Sequence, residues 1–107
     1  METVTVHGAT VPKVGLGTAR MTGRTCRDAV ERALELGYRH VDTAQMYDNE
    51  DAVGAGIAAA NVDRDDVFVT TKVDRGNVAY DDVLSSVDAS LDRLDAGYVD
   101  LLLIHAP

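Results

Sequence analysis

One short segment of the chain carries an acid and a tyrosine at a spacing that suits acid–base chemistry. Residues 39–44 alternate, which predicts a strand with Asp42 on the face opposite Val41. Tyr47 follows five residues later in a polar loop, and a helix is predicted to start near Asn49 with acids in its first turn. An acid at a strand end and a tyrosine in the next loop could occur by chance. They indicate a functional site only together with further reactive residues, which two later strands supply.

Those partners are a lysine and a histidine. Lys72 lies at the end of a predicted strand at 67–73, and His105 ends another at 98–105. The C-terminal ends of parallel strands meet on one side of a sheet, so neighbouring strands would bring these groups within about 10 Å. Asp42 could pair with the Lys72 ammonium, and an ammonium near a phenol favours its ionised form, which suits a general acid. His105 could hydrogen-bond a carbonyl oxygen or relay a proton.

Taken singly, a strand-end lysine or histidine is usually structural. Four such groups together, in a chain with two lysines and three histidines, favour a functional site.

The elements that must position these groups follow the order hairpin, β, α, β, α, β, α, β. Thr25 and Asp28 have the spacing of a capping box, Gly37 and Gly97 are placed to end helices, and Leu84 is among the residues expected to face the core. The predicted elements are a hairpin over 3–11 with His7 in its turn and Pro12 ending it, strands at 14–18, 39–44, 67–73 and 98–105, and helices at 25–36, 49–60 and 81–94.

Strands separated by single helices predict right-handed βαβ units and a parallel sheet. Two α/β architectures fit, an open doubly wound sheet and half of a (β/α)8 TIM barrel. A nucleotide-binding open sheet would place Gly-x-Gly-x-x-Gly before its first helix, and Gly15 and Gly17 do not continue into that fingerprint. The pattern therefore favours the barrel, and 107 residues make one domain at most.

Composition argues against several kinds of partner and site. The net charge of −8 argues against partners that need basic patches, so we expect neither nucleic acid nor a membrane surface as a partner. The apolar runs are too short to span a bilayer and the N-terminus lacks a signal pattern, so a cytoplasmic location is expected. The single cysteine, Cys26, excludes an internal disulfide and an all-cysteine metal site, and we expect no metal.

Asp accounts for 14 of the 18 acids, which resembles proteins of salt-loving microbes. Dense carboxylates are tolerable when salt screens them. The alternative interpretation is an ordinary soluble protein encoded by a high-GC sequence.

Several segments resemble the aldo-keto reductase family. Residues 37–54 match its signature of Gly, aromatic, Arg, one residue, apolar, Asp-Thr-Ala, five residues, Glu, two residues, aliphatic, Gly. Residues 14–18, 68–72 and 98–105 are similar to further family segments in the same order and spacing. The resemblance implies a (β/α)8 barrel with an N-terminal hairpin across its base, and reduction of small aldehydes and ketones with NADPH, or in some members NADH.

Matched position by position, the resemblance implies roles for six residues. Tyr47 would donate the proton, Asp42 and Lys72 would adjust its acidity, and His105 would orient the carbonyl. Gly17 and Thr18, with Asp42, would lie beside the nicotinamide and its ribose. We call Asp42, Tyr47, Lys72 and His105 the quartet.

Three departures from the family pattern affect these expectations. Ala106-Pro107 stands where the family usually has Trp before Pro, and Ala19-Arg20 stands where many members carry an aromatic residue. The sequence also stops after the fourth barrel strand, before the strands that carry most of the family's cofactor contacts. Residues 1–107 are therefore expected to be the N-terminal half of a reductase barrel, inactive alone.

Two alternatives stay open. One is a non-catalytic half-barrel that associates with another chain, because its inner residues and two sheet edges would be exposed and could drive self-association. The other is a barrel enzyme that forms a Schiff base at Lys72.

Overall fold

The structure is a computed structural model that describes residues 3–6, 8–12, 14–77 and 79–105. His7, placed in a turn by the sequence, and the Ala106-Pro107 pair lie outside the described residues. The strands are β1 (Thr3–Val6), β2 (Ala9–Pro12), β3 (Leu16–Gly17), β4 (His40–Asp42), β5 (Phe68–Val73) and β6 (Leu101–Ile104). The α-helices are α1 (Gly23–Glu35), α2 (Glu50–Ala59) and α3 (Tyr80–Leu94), and 3₁₀ turns cover Gln45–Tyr47, Arg64–Asp66 and Arg75–Asn77.

Strands β3 to β6 form one parallel sheet in the order β3-β4-β5-β6, and β1 pairs with β2 in a separate antiparallel hairpin. This confirms the predicted hairpin and the βαβ succession. Asp42 is level with Thr70 in β5, and Lys72 with Leu103 in β6, so these side chains share the face predicted to line a barrel interior. Strands β3, β4 and β6 are shorter than predicted.

Helix α1 starts two residues before its predicted start. Thr22 is its N-cap residue, so Thr25 lies inside the helix and the predicted capping box is wrong. Asp28 instead pairs with Arg27 at 2.8 Å on the exposed surface. The helix ends as predicted. Gly37 has a φ of +110°, a backbone conformation that residues other than glycine rarely adopt.

Helix α3 departs from prediction in two ways. Asp95, with a φ of +53°, provides the left-handed residue that ends it, so Gly97 does not have the predicted role. Leu84 was expected to face the core but is 52% exposed. The buried α3 residues are Ser90 and Leu94, toward the C-terminal end of the helix. The apolar side of its first half is therefore only partly covered, because Val83 and Val87 are half-buried.

The core lies between the outer face of the sheet and the helices α1 and α2. Val30 and Leu34 of α1 pack with Val41 of β4 and Val53 of α2, each at most 1% exposed. Helix α2 can approach its neighbours closely because of one glycine in particular. A Cβ at Gly54 would overlap the backbone carbonyl oxygen of Leu94 and lie 2.8 Å from its Cα.

We expect Gly54→Ala to destabilise the chain by about 2–3 kcal/mol, at the upper end of overpacking costs, because the opposing atoms are backbone and cannot rotate away. Urea unfolding followed by circular dichroism at one protein concentration measures this. Gly97→Ala is the matched control, because a Cβ there meets nothing within 4 Å of the described atoms. Equal unfolding midpoints for the two variants would contradict the close approach of α2 and α3.

Candidate active site

The charged centre of the site is an ion pair between adjacent strands. Lys72 Nζ lies 2.5 Å from Asp42 Oδ1 and 3.4 Å from the backbone oxygen of Thr43. A lysine inside a sheet is disfavoured unless its charge is paired, and the register of β4 and β5 supplies the pairing. The predicted partnership of Asp42 and Lys72 is present in the structure.

Tyr47 reaches the same lysine from the loop after β4. A 3₁₀ turn, Gln45–Tyr47, folds the chain back over the strand end, and Asp48 closes it in the left-handed conformation with φ +55°. The turn places the Tyr47 hydroxyl 3.2 Å from Lys72 Nζ. The ammonium thus contacts both a carboxylate and a phenol, as the sequence predicted from residue types alone.

Opposing effects act on the pKa of Lys72. Burial is the largest single effect and lowers it, but hydrogen bonds to Asp42 and Tyr47 and the charges of both partners raise it. The pKa stays above its ordinary value of 10.5. Lys72 is therefore an ammonium throughout the physiological range and can stabilise negative charge on the neighbouring phenol oxygen.

His105 completes the group at the end of β6. Its ring lies edge-on to Tyr47, with centroids 5.9 Å apart and planes at 88°. Its backbone N–H donates to Val73 O at 2.8 Å, which fixes the residue beside β5. Nδ1 is buried and has no hydrogen-bond partner among the described residues. The imidazole is therefore placed beside Tyr47 without being fully engaged by the described protein groups.

Gly17 and Thr18 lie at the end of β3, beside Asp42. A Cβ at Gly17 would meet nothing within 4 Å among the described atoms, so the space above this position is open. Thr18 is fully buried, and its hydroxyl donates to Asp42 O at 2.9 Å. Its backbone oxygen accepts from the Asn49 amide at 2.7 Å. Thr18 thus holds the strand end in place, while Gly17 leaves room next to the Asp42 carboxylate.

Sequence reasoning missed a buried carboxylate behind the quartet. Glu50 was assigned to the first turn of α2 as a favourable charge, but it is 1% exposed. Its Oε1 accepts from Arg93 Nη2 at 2.6 Å and from Ser90 at 3.1 Å, and its Oε2 accepts from Thr71 at 2.6 Å. Because Thr71 precedes Lys72 in β5, Glu50 anchors the strand that carries the lysine. The sequence signal that could have identified it is the glutamate of the 37–54 signature, which falls at Glu50.

A second missed residue is His40, on the inner face of β4 below Asp42. Its Nε2 lies 2.9 Å from Thr70 Oγ1 and its Nδ1 lies 3.3 Å from Pro12 O. These contacts tie the hairpin to the sheet. His40 therefore serves the fold at the opposite end of the strand from the quartet.

Comparisons with known proteins agree with this geometry. The family model described as "Aldo/keto reductase family" matches residues 13–107. The chain belongs to the aldo-keto reductase family. Methylglyoxal reductase DkgB of Salmonella typhi is 49% identical over 98 residues, covering 92% of this chain and 37% of that protein. An aldo-keto reductase of Mycolicibacterium smegmatis is 44% identical over 100 residues, covering 94% and 36%.

Solved aldo-keto reductases superpose on nearly the whole chain. The enzyme from Brucella melitensis matches with a TM-score of 0.94 and 40% identity, covering 97% of this chain and 40% of that one. A Bombyx mori aldo-keto reductase, solved in complex with NADP, matches with a TM-score of 0.92 and 41% identity, covering 99% and 38%. The four parallel strands and their helices are therefore part of a (β/α)8 barrel, as predicted. The chain spans about 37% of the length of the aldo-keto reductases it matches.

Within the described ranges, none of the helices is long and apolar enough to cross a membrane. Within the same ranges, His, Cys, Asp and Glu side chains do not gather in threes in a way that could hold a metal ion.

Proposed function

We propose that residues 1–107 form the N-terminal half of an aldo-keto reductase barrel that reduces small aldehydes and ketones with NADPH, or alternatively NADH. The observation that carries the proposal is the placement of Lys72 Nζ between Asp42, at 2.5 Å, and the Tyr47 hydroxyl, at 3.2 Å. This arrangement keeps a phenol next to an ammonium, and that positive charge stabilises the oxygen of a phenol that donates its proton as a general acid.

The residues present fit the nicotinamide end of the cofactor. Gly17 leaves open space at the end of β3, and the Asp42 side chain beside it is 41% exposed, so its carboxylate can accept a ribose hydroxyl. Thr18 is too buried to touch a ligand with its side chain and supports Asp42 from behind. The aldo-keto reductase solved with NADP shares this part of the fold.

When bound, NADPH would supply the hydride for carbonyl reduction. Tyr47 gives its proton to the carbonyl oxygen as negative charge develops there. Lys72 stabilises the phenolate that remains, and Asp42 holds Lys72 in place. His105, beside Tyr47 and not fully engaged by the described protein groups, can hydrogen-bond the same oxygen and orient the substrate.

The Schiff-base alternative fits the structure less well. A lysine nucleophile must be a neutral amine, which needs a lowered pKa. Here the hydrogen bonds to Asp42 and Tyr47 outweigh burial and raise the pKa of Lys72. The geometry supports a cation that assists a neighbouring acid, and this favours reduction over imine chemistry.

The test of the proposed function is a chimeric barrel in which residues 1–107 replace the matching segment of the Salmonella methylglyoxal reductase, the 49% identical relative. The chimeric barrel should oxidise NADPH in the presence of methylglyoxal, followed at 340 nm. The 107-residue chain alone should show no turnover under the same conditions. A well-folded chimeric barrel without activity on methylglyoxal or other small carbonyl compounds would contradict the proposed reaction.

We propose further that the 107-residue chain self-associates as a dimer through strand β6. Leu101, Leu102, Leu103 and Ile104 are between 38% and 63% exposed, on both faces of an edge strand of the sheet. Unpaired edges bearing apolar side chains favour pairing with another strand. Strand β3, at the other edge of the same parallel sheet, offers the complementary edge in a second copy, so that two half-barrels would close together.

Sedimentation velocity over a range of concentrations tests this association. The parent chain is expected to sediment as a dimer, and Leu102→Glu and Leu103→Glu, one on each face of β6, should sediment as monomers. Leu36→Glu, at a position 65% exposed after α1, is the control and should leave the dimer intact. A compact monomer at every concentration would disprove the proposal, as would dissociation by the control variant.

A further inference from the structure

We propose that Gln45 is a positioning residue that locks the Tyr47 turn to the segment following Lys72, and so sets the distance between the proton donor and the ammonium. This inference rests on the proposed reductase function. Gln45 is the first residue of the 3₁₀ turn that ends at Tyr47.

The side chain of Gln45 spans three elements. Its Oε1 accepts from the backbone N–H of Asp74 at 2.8 Å and from Asn77 Nδ2 at 3.2 Å, in the segment between β5 and α3. Its Nε2 donates to Ser90 Oγ of α3 at 3.2 Å. Asp74 is two residues beyond Lys72, so one amide connects the backbone that bears Tyr47 with the backbone that bears Lys72.

The α3 residue that Gln45 contacts is buried, and the direction of its hydrogen bond is fixed. Ser90 is 1% exposed, and its hydroxyl donates to Glu50 at 3.1 Å. Because that proton is committed to the carboxylate, Ser90 Oγ can only accept from Gln45. The backbone N–H of Asp74 can only donate, so the two ends of the amide are assigned without ambiguity. An amide satisfies this pair of demands, whereas a carboxylate or a thioether in its place cannot.

The consequence for chemistry is geometric. Lys72 Nζ and the Tyr47 hydroxyl are 3.2 Å apart, and they come from a strand and from a turn of only three residues. Without the tether the turn can shift while the strand stays fixed. A displacement of about 1 Å of a reacting group can cost about 100-fold in rate. Substitution of Gln45 should therefore affect turnover more than cofactor binding.

In the chimeric barrel, Gln45→Met should lower kcat for methylglyoxal by about 10- to 100-fold and leave the NADPH dissociation constant unchanged. Ser90→Ala removes one of the three contacts and should have a smaller effect in the same direction. Asn61→Ala, an exposed amide beyond the far end of α2, is the control and should keep the parent kcat. Unchanged kcat in Gln45→Met would overturn the proposal, as would a loss of NADPH binding that accounts for the lower rate.

A second readout separates this inference from the proposed function. In the 107-residue chain labelled with ring-¹³C tyrosine, Gln45→Met should move the Tyr47 ring resonance and speed hydrogen exchange of the Asp74 amide, while Asn61→Ala should do neither. If the parent chimeric barrel were inactive but Gln45→Met still changed the Tyr47 and Asp74 signals, the reductase function would be rejected and the role of Gln45 in holding the turn would stand. Unmoved Tyr47 and Asp74 signals would reject the tether whatever the activity.

Discussion

Tyr47→Phe in the chimeric barrel is expected to slow carbonyl reduction by about 10²–10⁴-fold, because the change removes only the hydroxyl that donates the proton. The phenyl ring keeps its edge contact with His105, whose ring centroid is 5.9 Å away. NADPH binding should therefore barely change. Stopped-flow or steady-state measurement of NADPH oxidation with methylglyoxal gives the rate, and NADPH fluorescence gives the affinity.

The chain offers a matched control for the same chemical change. Tyr80 is 78% exposed at the start of α3, so Tyr80→Phe removes a hydroxyl outside the quartet and should keep the parent rate. Asp42→Asn should cost less than Tyr47→Phe, because Lys72 keeps its contacts with Tyr47 and the Thr43 carbonyl. If the Tyr47→Phe barrel reduced methylglyoxal at close to the parent rate, the chain would share the family fold without this proton donor.

The features that the sequence predicted well depend on short-range periodicity. The alternation of residues 39–44 correctly put Asp42 and Val41 on opposite faces, and strand order then made Lys72 the neighbour of Asp42. Pairing was predictable because a lysine within a sheet needs a countercharge and few acids share its face. The sequence favoured a barrel over an open sheet because the Gly-x-Gly-x-x-Gly fingerprint is missing, and the solved relatives confirm the barrel.

The features that the sequence did not reveal depend on side-chain direction across long separations. Glu50 contacts Arg93, 43 positions later in the chain, and Gln45 contacts Ser90, 45 positions later. Neither pair follows from helical or strand spacing, because the contact depends on how α3 crosses the β4–α2 loop. The predicted start of α1 was wrong for a local reason. Thr25 had suitable chemistry for an N-cap, but the chain was already helical from Gly23.

The buried Glu50 gives the second large effect that we expect, which is on stability. Arg93→Met should destabilise the chain by about 3 kcal/mol, at the lower end of the cost of breaking a buried ion pair. The carboxylate, 1% exposed, would lose contacts to Arg93 Nε at 2.9 Å and Nη2 at 2.6 Å and keep only hydroxyl donors. The lower end applies because the Arg93 side chain is 42% exposed, so water can replace part of what is lost.

Because Glu50 is buried and Arg93 is half-exposed, removing one partner should cost a different amount of stability from removing the other. Glu50→Gln leaves the cation unpaired, but a half-exposed guanidinium can be solvated, so this variant should lose only about 1–2 kcal/mol. The double variant should be more stable than Arg93→Met alone, because no carboxylate then remains buried without a cation. Arg75→Met, at an exposed arginine in the segment before α3, should change stability by no more than about 0.5 kcal/mol. Urea unfolding of the four variants measures the series, and an Arg93→Met variant no less stable than Glu50→Gln would show that the guanidinium does not stabilise the carboxylate anchoring β5 behind Lys72.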